Sequence, residues 1–134
     1  MLKKTITYTD YNGTERTEDF YFNFNEAELA EMDLSTPGGM EGMIQRIINT
    51  NDIPALHAIF KDIIMRGYGE KSPDGKRFIK VDRDGYRLAD DFVQTEAYNK
   101  LVLELLGDAN AASAFINGMI PDALLEKMNQ KKQN

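Results

Sequence analysis

The sequence has no cysteine in its 134 residues. This excludes thiolate catalysis, disulfides, structural Cys zinc sites and iron–sulfur clusters, and it fits a reducing cytoplasm. Histidine is almost missing too, since His57 is the only one. A single imidazole cannot build a His-rich metal site, so a metal would need a carboxylate cage, and any Ser/His triad would have to use this residue. No apolar run approaches the ~20 residues that cross a bilayer. Met1-Leu2-Lys3-Lys4 leads into polar Thr5-Ile6-Thr7 rather than a signal-peptide core. The expected product is soluble and intracellular, with no membrane partner. Positive charge is in deficit: 16 Lys and Arg stand against 22 Asp and Glu, for a net charge of -6 at pH 7.

What is present suits one modest core. A chain of this length buries roughly two-thirds of its unfolded surface, and 42% of the residues are hydrophobic, enough for that core without cross-links. The sequence predicts an α+β fold, mainly α, as a single domain over 1–128. An N-terminal β-hairpin over 3–24 packs on a helical body over 25–128 of about five to six short helices, followed by a flexible tail over 129–134.

Thr5-Ile6-Thr7-Tyr8-Thr9 alternates large apolar residues with Thr, and Phe20, Phe22 and Phe24 recur at period two. Between them Asn12-Gly13 offers residues that tolerate positive φ, as a tight hairpin turn requires. A lone hairpin is marginal in water, so its aromatic face is expected to dock on helices of the same chain or on another subunit. Asn25 to Glu28 reads as a capping box, and Ser35-Thr36-Pro37-Gly38-Gly39 breaks the short helix it opens. Met40, Met43, Ile44, Ile47 and Ile48 then form one helical stripe. Asp52 as N-cap and Pro54 in the first turn start a second helix, with Leu56, Ile59, Phe60, Ile63 and Ile64 on one face. The two read as an αα-hairpin.

Residues 66–87 stand apart. They carry seven basic residues against four acidic, a local balance of +3, which leaves nine basic against eighteen acidic in the rest of the chain. Gly67, Gly69, Pro73-Asp74-Gly75 and Asp84-Gly85 punctuate the stretch, and Phe78 to Val81 is a candidate short strand. The segment over 66–90 is expected to be a long basic loop between helical layers, a usual place for binding residues. Beyond it, Asp91 to Gln94 start a helix with Tyr98, Leu101, Val102, Leu105 and Leu106. Asp108 caps a small-residue helix that Gly118 stops, and Pro121 opens a last one with Leu124, Leu125 and Met128.

None of the chemical signatures survives a check of spacing. Asp82-Arg83-Asp84-Gly85 resembles an EF-hand loop, but with Gly85 at position six the first ligand position is Lys80, a cation. It is a charged turn, and neither a metal nor a cofactor is expected. The glycine-rich pieces at Gly38–Gly42 and Gly67–Gly69 lack the strand and Lys of a phosphate loop. Asp90-Asp91 favours the positive end of the following helix more simply than it shares a catalytic proton. His57 sits at the edge of an apolar stripe, where a partly buried neutral imidazole is the common outcome. Lys and Arg interleaved with Tyr68, Phe78 and Tyr86 raise a nucleic-acid reading, which the surrounding negative charge opposes. Met32, Met40, Met43, Met65, Met119 and Met128 lie in or beside the stripes, where thioethers fill a core or make an adaptable partner surface.

Three stretches together resemble a known family. They are Lys3 to Gly13 continuing through Asp19-Phe20-Tyr21-Phe22-Asn23 to Ala27-Glu28-Leu29; Tyr68 to Ser72 with Gly75 to Lys80; and Gln94-Thr95-Glu96-Ala97-Tyr98 running to Ala114 through Pro121. The chain is similar there to the tail assembly chaperones of long-tailed, siphovirus-type bacteriophages and prophages of Gram-positive bacteria. Val93 stands where that family has a small polar residue, which weakens a helix cap. The resemblance implies a non-enzymatic factor of the host bacterial cytoplasm. Such a factor binds the tape measure protein, keeps it soluble, recruits tail-tube protein and is absent from the mature virion. It also implies that a longer frameshifted product is common, and Lys131-Lys132 is compatible with a slippery run. Tyr8, Phe20 and Phe22 are the expected apolar contacts, and Lys76, Arg77 and Lys80 the expected contacts to acidic patches. A homo-oligomer is a further option. The rival readings are a structural tail or head–tail connector subunit kept in the virion, and a nucleic-acid-binding regulator using the basic loop.

Overall fold

β1 (Leu2–Thr9) and β2 (Glu15–Phe22) pair antiparallel, from Leu2 opposite Phe22 to Thr9 opposite Glu15. The computed structural model describes residues 1–35, 38–49 and 51–121, with the side chains of Leu34, Ser35 and Met40 outside the description. Alternation sets the two faces of the hairpin. Ile6 and Tyr8 point inward and are buried, while Thr5, Thr7 and Thr9 are exposed. The outer face is knitted by Thr5 donating to Asp19 (2.6 Å) and by the Thr7–Thr17 hydroxyl pair (2.9 Å).

The connection is wider than the tight turn the sequence suggests. Five residues, Asp10 to Thr14, close it through Asp10 N–H to Thr14 O (2.9 Å) and Gly13 N–H to Asp10 O (3.0 Å). Only Gly13 takes positive φ (+83°), so Asn12 is not used as a left-handed residue. The Asp10 carboxylate organises the loop, accepting from the Asn12 and Thr14 amides and from Arg16 Nε. The Arg16 guanidinium, then these amides, hold its pKa below the ordinary range.

Six helices follow or interleave with the sheet among the described residues. α1 (Glu26–Ser35) opens on the reciprocal capping box: Asn25 N–H donates to Glu28 Oε1 (3.0 Å) and Glu28 N–H to Asn25 Oδ1 (2.8 Å). α2 (Gly39–Asn49) packs mainly on α1 and touches α3 less than an αα-hairpin would. Ile48 and Ile53, on either side of the joint, are more than half exposed because both stripes leave the core there. α3 (Ile53–Gly67) starts at Asp52, whose side chain accepts from Ala55 N–H, and buries Phe60, Ile63 and Ile64.

The stretch expected as an open basic loop is largely structured. α3 runs straight into β3 (Tyr68–Lys71), which pairs antiparallel with β2 at Tyr21–Gly69 and Phe22–Tyr68. β4 (Phe78–Ile79) returns on its far side, giving the sheet order β1-β2-β3-β4. β3 lacks alternation, and the strand it joins in the sheet, β2, lies far away in sequence, so local pattern does not reveal it. Gly69 is needed at the close approach: a Cβ there would lie 2.5 Å from Phe78 Cε1 and 2.6 Å from Ile79 O.

α4 (Leu88–Phe92) and α5 (Glu96–Gly107) replace the single helix expected from Asp91 onward. Asp90 and Asp91 lie in the first turn of α4, and the cap of α5 is Thr95, which accepts from Tyr98 N–H (3.3 Å). Val93 is the C-cap of α4, so its side chain weakens no N-terminal cap. α6 (Ala109–Met119) is capped by Asp108 as expected but runs through Gly118. That glycine serves packing instead of termination: a Cβ on it would meet Leu2 Cδ1 at 2.9 Å. The last helix expected from Pro121, and the tail over 129–134, lie outside the described residues.

The buried side chains form one cluster. α5 and α6 lie on β1, α4 on β3, and α3 against α4 and α5. At its centre Tyr68 stacks on Phe92 (centroids 4.4 Å apart, 11° between planes), with Phe22 edge-on to Phe92 and Phe115.

Candidate functional site

The six residues singled out from sequence fall in three environments. Phe22 is fully buried, Tyr8 is 8% exposed, and Phe20 is half-buried against Phe92 with ring centroids 5.1 Å apart. The hairpin aromatics thus dock on helices of the same chain, and in this conformation Phe22 offers no surface. The Tyr8 hydroxyl donates to the Glu18 carboxylate, and this bond, then burial, raises the phenol pKa.

Lys76 and Arg77 are exposed on the β3–β4 turn and form no ion pair among the described residues. Ser72, almost fully buried, holds that turn by donating to Asp74 Oδ1 (2.6 Å) and accepting from Arg77 N–H (3.0 Å). The Ser72 hydroxyl, then the Lys76 amide, lowers the Asp74 pKa.

Lys80 points inward. Its Nζ donates to Asn23 O (2.8 Å), Arg66 O (2.7 Å) and Glu28 Oε2 (2.5 Å), so all three N–H donors are used within the chain. The ammonium also stands 5.0 Å from the centroid of Phe24. Burial lowers its pKa, and the Glu28 carboxylate opposes that shift.

Lys80 lines an open groove of about 600 Å³. Phe24 and Met32 are buried in its floor, while Met65 and the 55%-exposed Val81 present apolar atoms to solvent. Glu28 and Glu31 come from α1; Arg66, at the end of α3, and Arg87, just before α4, supply positive charge. The Arg66 guanidinium pairs with Asp62 (3.1 Å) at the surface, one helical turn earlier. Of these residues the sequence reading had named Phe24, Lys80, the methionines, the basic stretch and, as a capping residue, Glu28, but not Glu31.

The other features stay structural. Asp82 Oδ1 accepts from the Asp84 and Tyr86 amides (2.9 Å each), so the EF-hand-like segment is a charged turn. His57 is exposed instead of partly buried, because it lies on the solvent side of α3. Among the described residues no group of three His, Asp or Glu side chains is placed to hold a metal ion, and no helix is long and apolar enough to cross a membrane.

A family model described as phage tail assembly chaperone matches residues 1–134, the whole chain. The chain belongs to the phage tail assembly chaperone family. Neither the curated proteins nor the solved structures give a match. Membership gives the chain a chaperone role in building bacteriophage tails, with tail proteins as its partners.

Proposed function

We propose that the chain binds the tape measure protein of a siphovirus-type phage or prophage of a Gram-positive host. It keeps that protein soluble, promotes assembly of the tail tube around it, and leaves before the particle is finished. The observation that carries the reading is the family match over the full length of the chain. Two physical features support it. A long polypeptide with apolar helical stripes needs temporary cover, and this fold offers an open groove with accessible Met65 and Val81. The net charge of -6 keeps such a complex dissolved. The action is binding alone, in the host cytoplasm, with no bond made or broken.

The test is a tagged chain expressed during phage production. Recovery of tape measure and tail-tube proteins with the tag, together with absence of the chain from purified particles by mass spectrometry, is expected. Stoichiometric retention in particles would instead make it a structural tail or connector subunit.

A further inference from the structure

We infer that the open edge of β2, where β3 turns away from it, takes an extended segment of the client, and that a Lys or Arg side chain of that segment enters beside Tyr68. The inference rests on the proposed tape measure binding and locates one contact of it.

The pairing of the sheet leaves that edge free. β2 pairs with β1 along its whole length, but its pairing with β3 stops at Tyr21 opposite Gly69. Past that point β3 pairs with β4 instead, at Glu70–Ile79 and Lys71–Phe78. In antiparallel pairing, successive residues turn their N–H and C=O to opposite sides. Asp10 N–H bonds Thr14 O across the hairpin, so even-numbered residues of β2 turn toward β1. Asn23 N–H on Gly67 O, two residues beyond Tyr21, puts the odd-numbered ones on the β3 side. Thr17 and Asp19 therefore aim their main-chain groups where no strand lies among the described residues. A helix has no backbone groups to spare for them, whereas an extended segment pairs with both.

The side chains there specify a base. A hollow of about 450 Å³ beside the edge is lined by Phe20, Tyr68 and Glu70. Tyr68 is only 9% exposed, yet its hydroxyl has no hydrogen-bond partner among the described residues. After burial, the charges of Glu70, Glu18 and Asp91 raise the pKa of that phenol, so all three acids stand around it. Glu18 is spent, since it accepts from the Tyr8 hydroxyl and lies 3.9 Å from Arg16. Glu70 and Asp91 are exposed, and their carboxylates have no partner among the described residues. An ammonium or guanidinium entering here finds the Tyr68 oxygen as acceptor and two carboxylates as counter-charges, while its stem lies on Phe20. Lys71 does not cancel this, because alternation sets it on the opposite face of β3 from Tyr68 and Glu70. An acidic segment would meet like charge.

Amide exchange reads such pairing directly. The chain is co-expressed with the phage's tape measure protein, and residue-resolved exchange is followed in the purified complex and in the free chain. The Glu18 and Phe20 amides, turned toward β1, should be protected in both. The Thr17 and Asp19 amides should slow by about tenfold or more in the complex alone. Glu70→Lys should weaken the complex by about three- to tenfold at low salt and less at high salt. Tyr68→Phe, which keeps the ring and removes only the hydroxyl, should weaken it by about two- to fivefold at either salt. If tape measure protein is retained but Thr17 and Asp19 exchange as fast as in the free chain, or Glu70→Lys binds like the wild type, the edge assignment is wrong while tape measure binding stands. If the wild-type chain retains no tape measure protein, the binding and its location fail together.

Discussion

Lys80 Nζ lies 2.5 Å from Glu28 Oε2, tying the segment after β4 to the first turn of α1 across 52 residues of sequence. The same nitrogen caps the Arg66 carbonyl at the end of α3, so three elements of the groove meet on one ammonium. Truncating it leaves a half-buried carboxylate and two carbonyls without their donor. Lys80→Ala should lower unfolding free energy by about 2 kcal/mol, whereas Arg66→Ala, which breaks only an exposed pair, should change it by less than about 0.5 kcal/mol. Urea denaturation of the two variants compares them, and equal losses would mean that Lys80 is not the tie described.

Base should weaken the fold through Tyr68. Burial raises its phenol pKa to about 12 from the ordinary 10.0. Below pH 10 the ring is protonated in both folded and unfolded chains, and its contribution is fully present. Between 10 and about 12 the unfolded chain ionises first, so stability falls as pH rises. Tyr68→Phe keeps the stack on Phe92 and should lose less stability over that window. Thermal melts at stepped alkaline pH show whether it does.

Two glycines should respond in opposite ways to alanine. At Gly69 a Cβ meets the Phe78 ring and the Ile79 carbonyl, so Gly69→Ala should cost about 1–3 kcal/mol and loosen the β3–β4 pairing. At Gly107, at the end of α5, a Cβ meets nothing within 4 Å. Gly107→Ala should be neutral or stabilise by up to about 1 kcal/mol. Guanidinium unfolding of both, with the amide exchange of β3 followed in Gly69→Ala, checks the contrast.

How much of this was legible in sequence depended on the range of the interaction. Caps at Asn25/Glu28, Asp52 and Asp108 are made by side chains on amides two or three residues away, and each was read correctly. The hairpin was legible because alternation persists on both strands, but its loop was misjudged: one glycine and the Asp10 carboxylate do what Asn-Gly was expected to do. β3 is held by residues some 47 positions upstream and by β4, which leaves no mark in Tyr68-Gly69-Glu70-Lys71. Gly118 read as a stop because helices often end at glycine, whereas here the missing side chain admits Leu2. Lys80 read as a surface charge; its three acceptors come from Asn23, Glu28 and Arg66, which only the fold brings together.

Lys76 and Arg77, exposed and without an ion pair among the described residues, should matter for association and not for stability. The double variant Lys76→Gln, Arg77→Gln should unfold within about 0.5 kcal/mol of the parent. Its affinity for an acidic tail-protein surface should drop by about two- to tenfold at low salt, with the difference closing as salt is raised. Titration calorimetry at two ionic strengths measures this. Tight salt-dependent retention on DNA or RNA, lost in the same variant, would point to a nucleic-acid partner instead.

The measurement closest to the central claim is the soluble fraction of the tape measure protein, expressed alone and together with this chain at matched levels. The account predicts that the tape measure protein is mostly insoluble alone, and soluble and co-eluting with the chain when both are made. An unchanged insoluble fraction, with the chain eluting free, would contradict it.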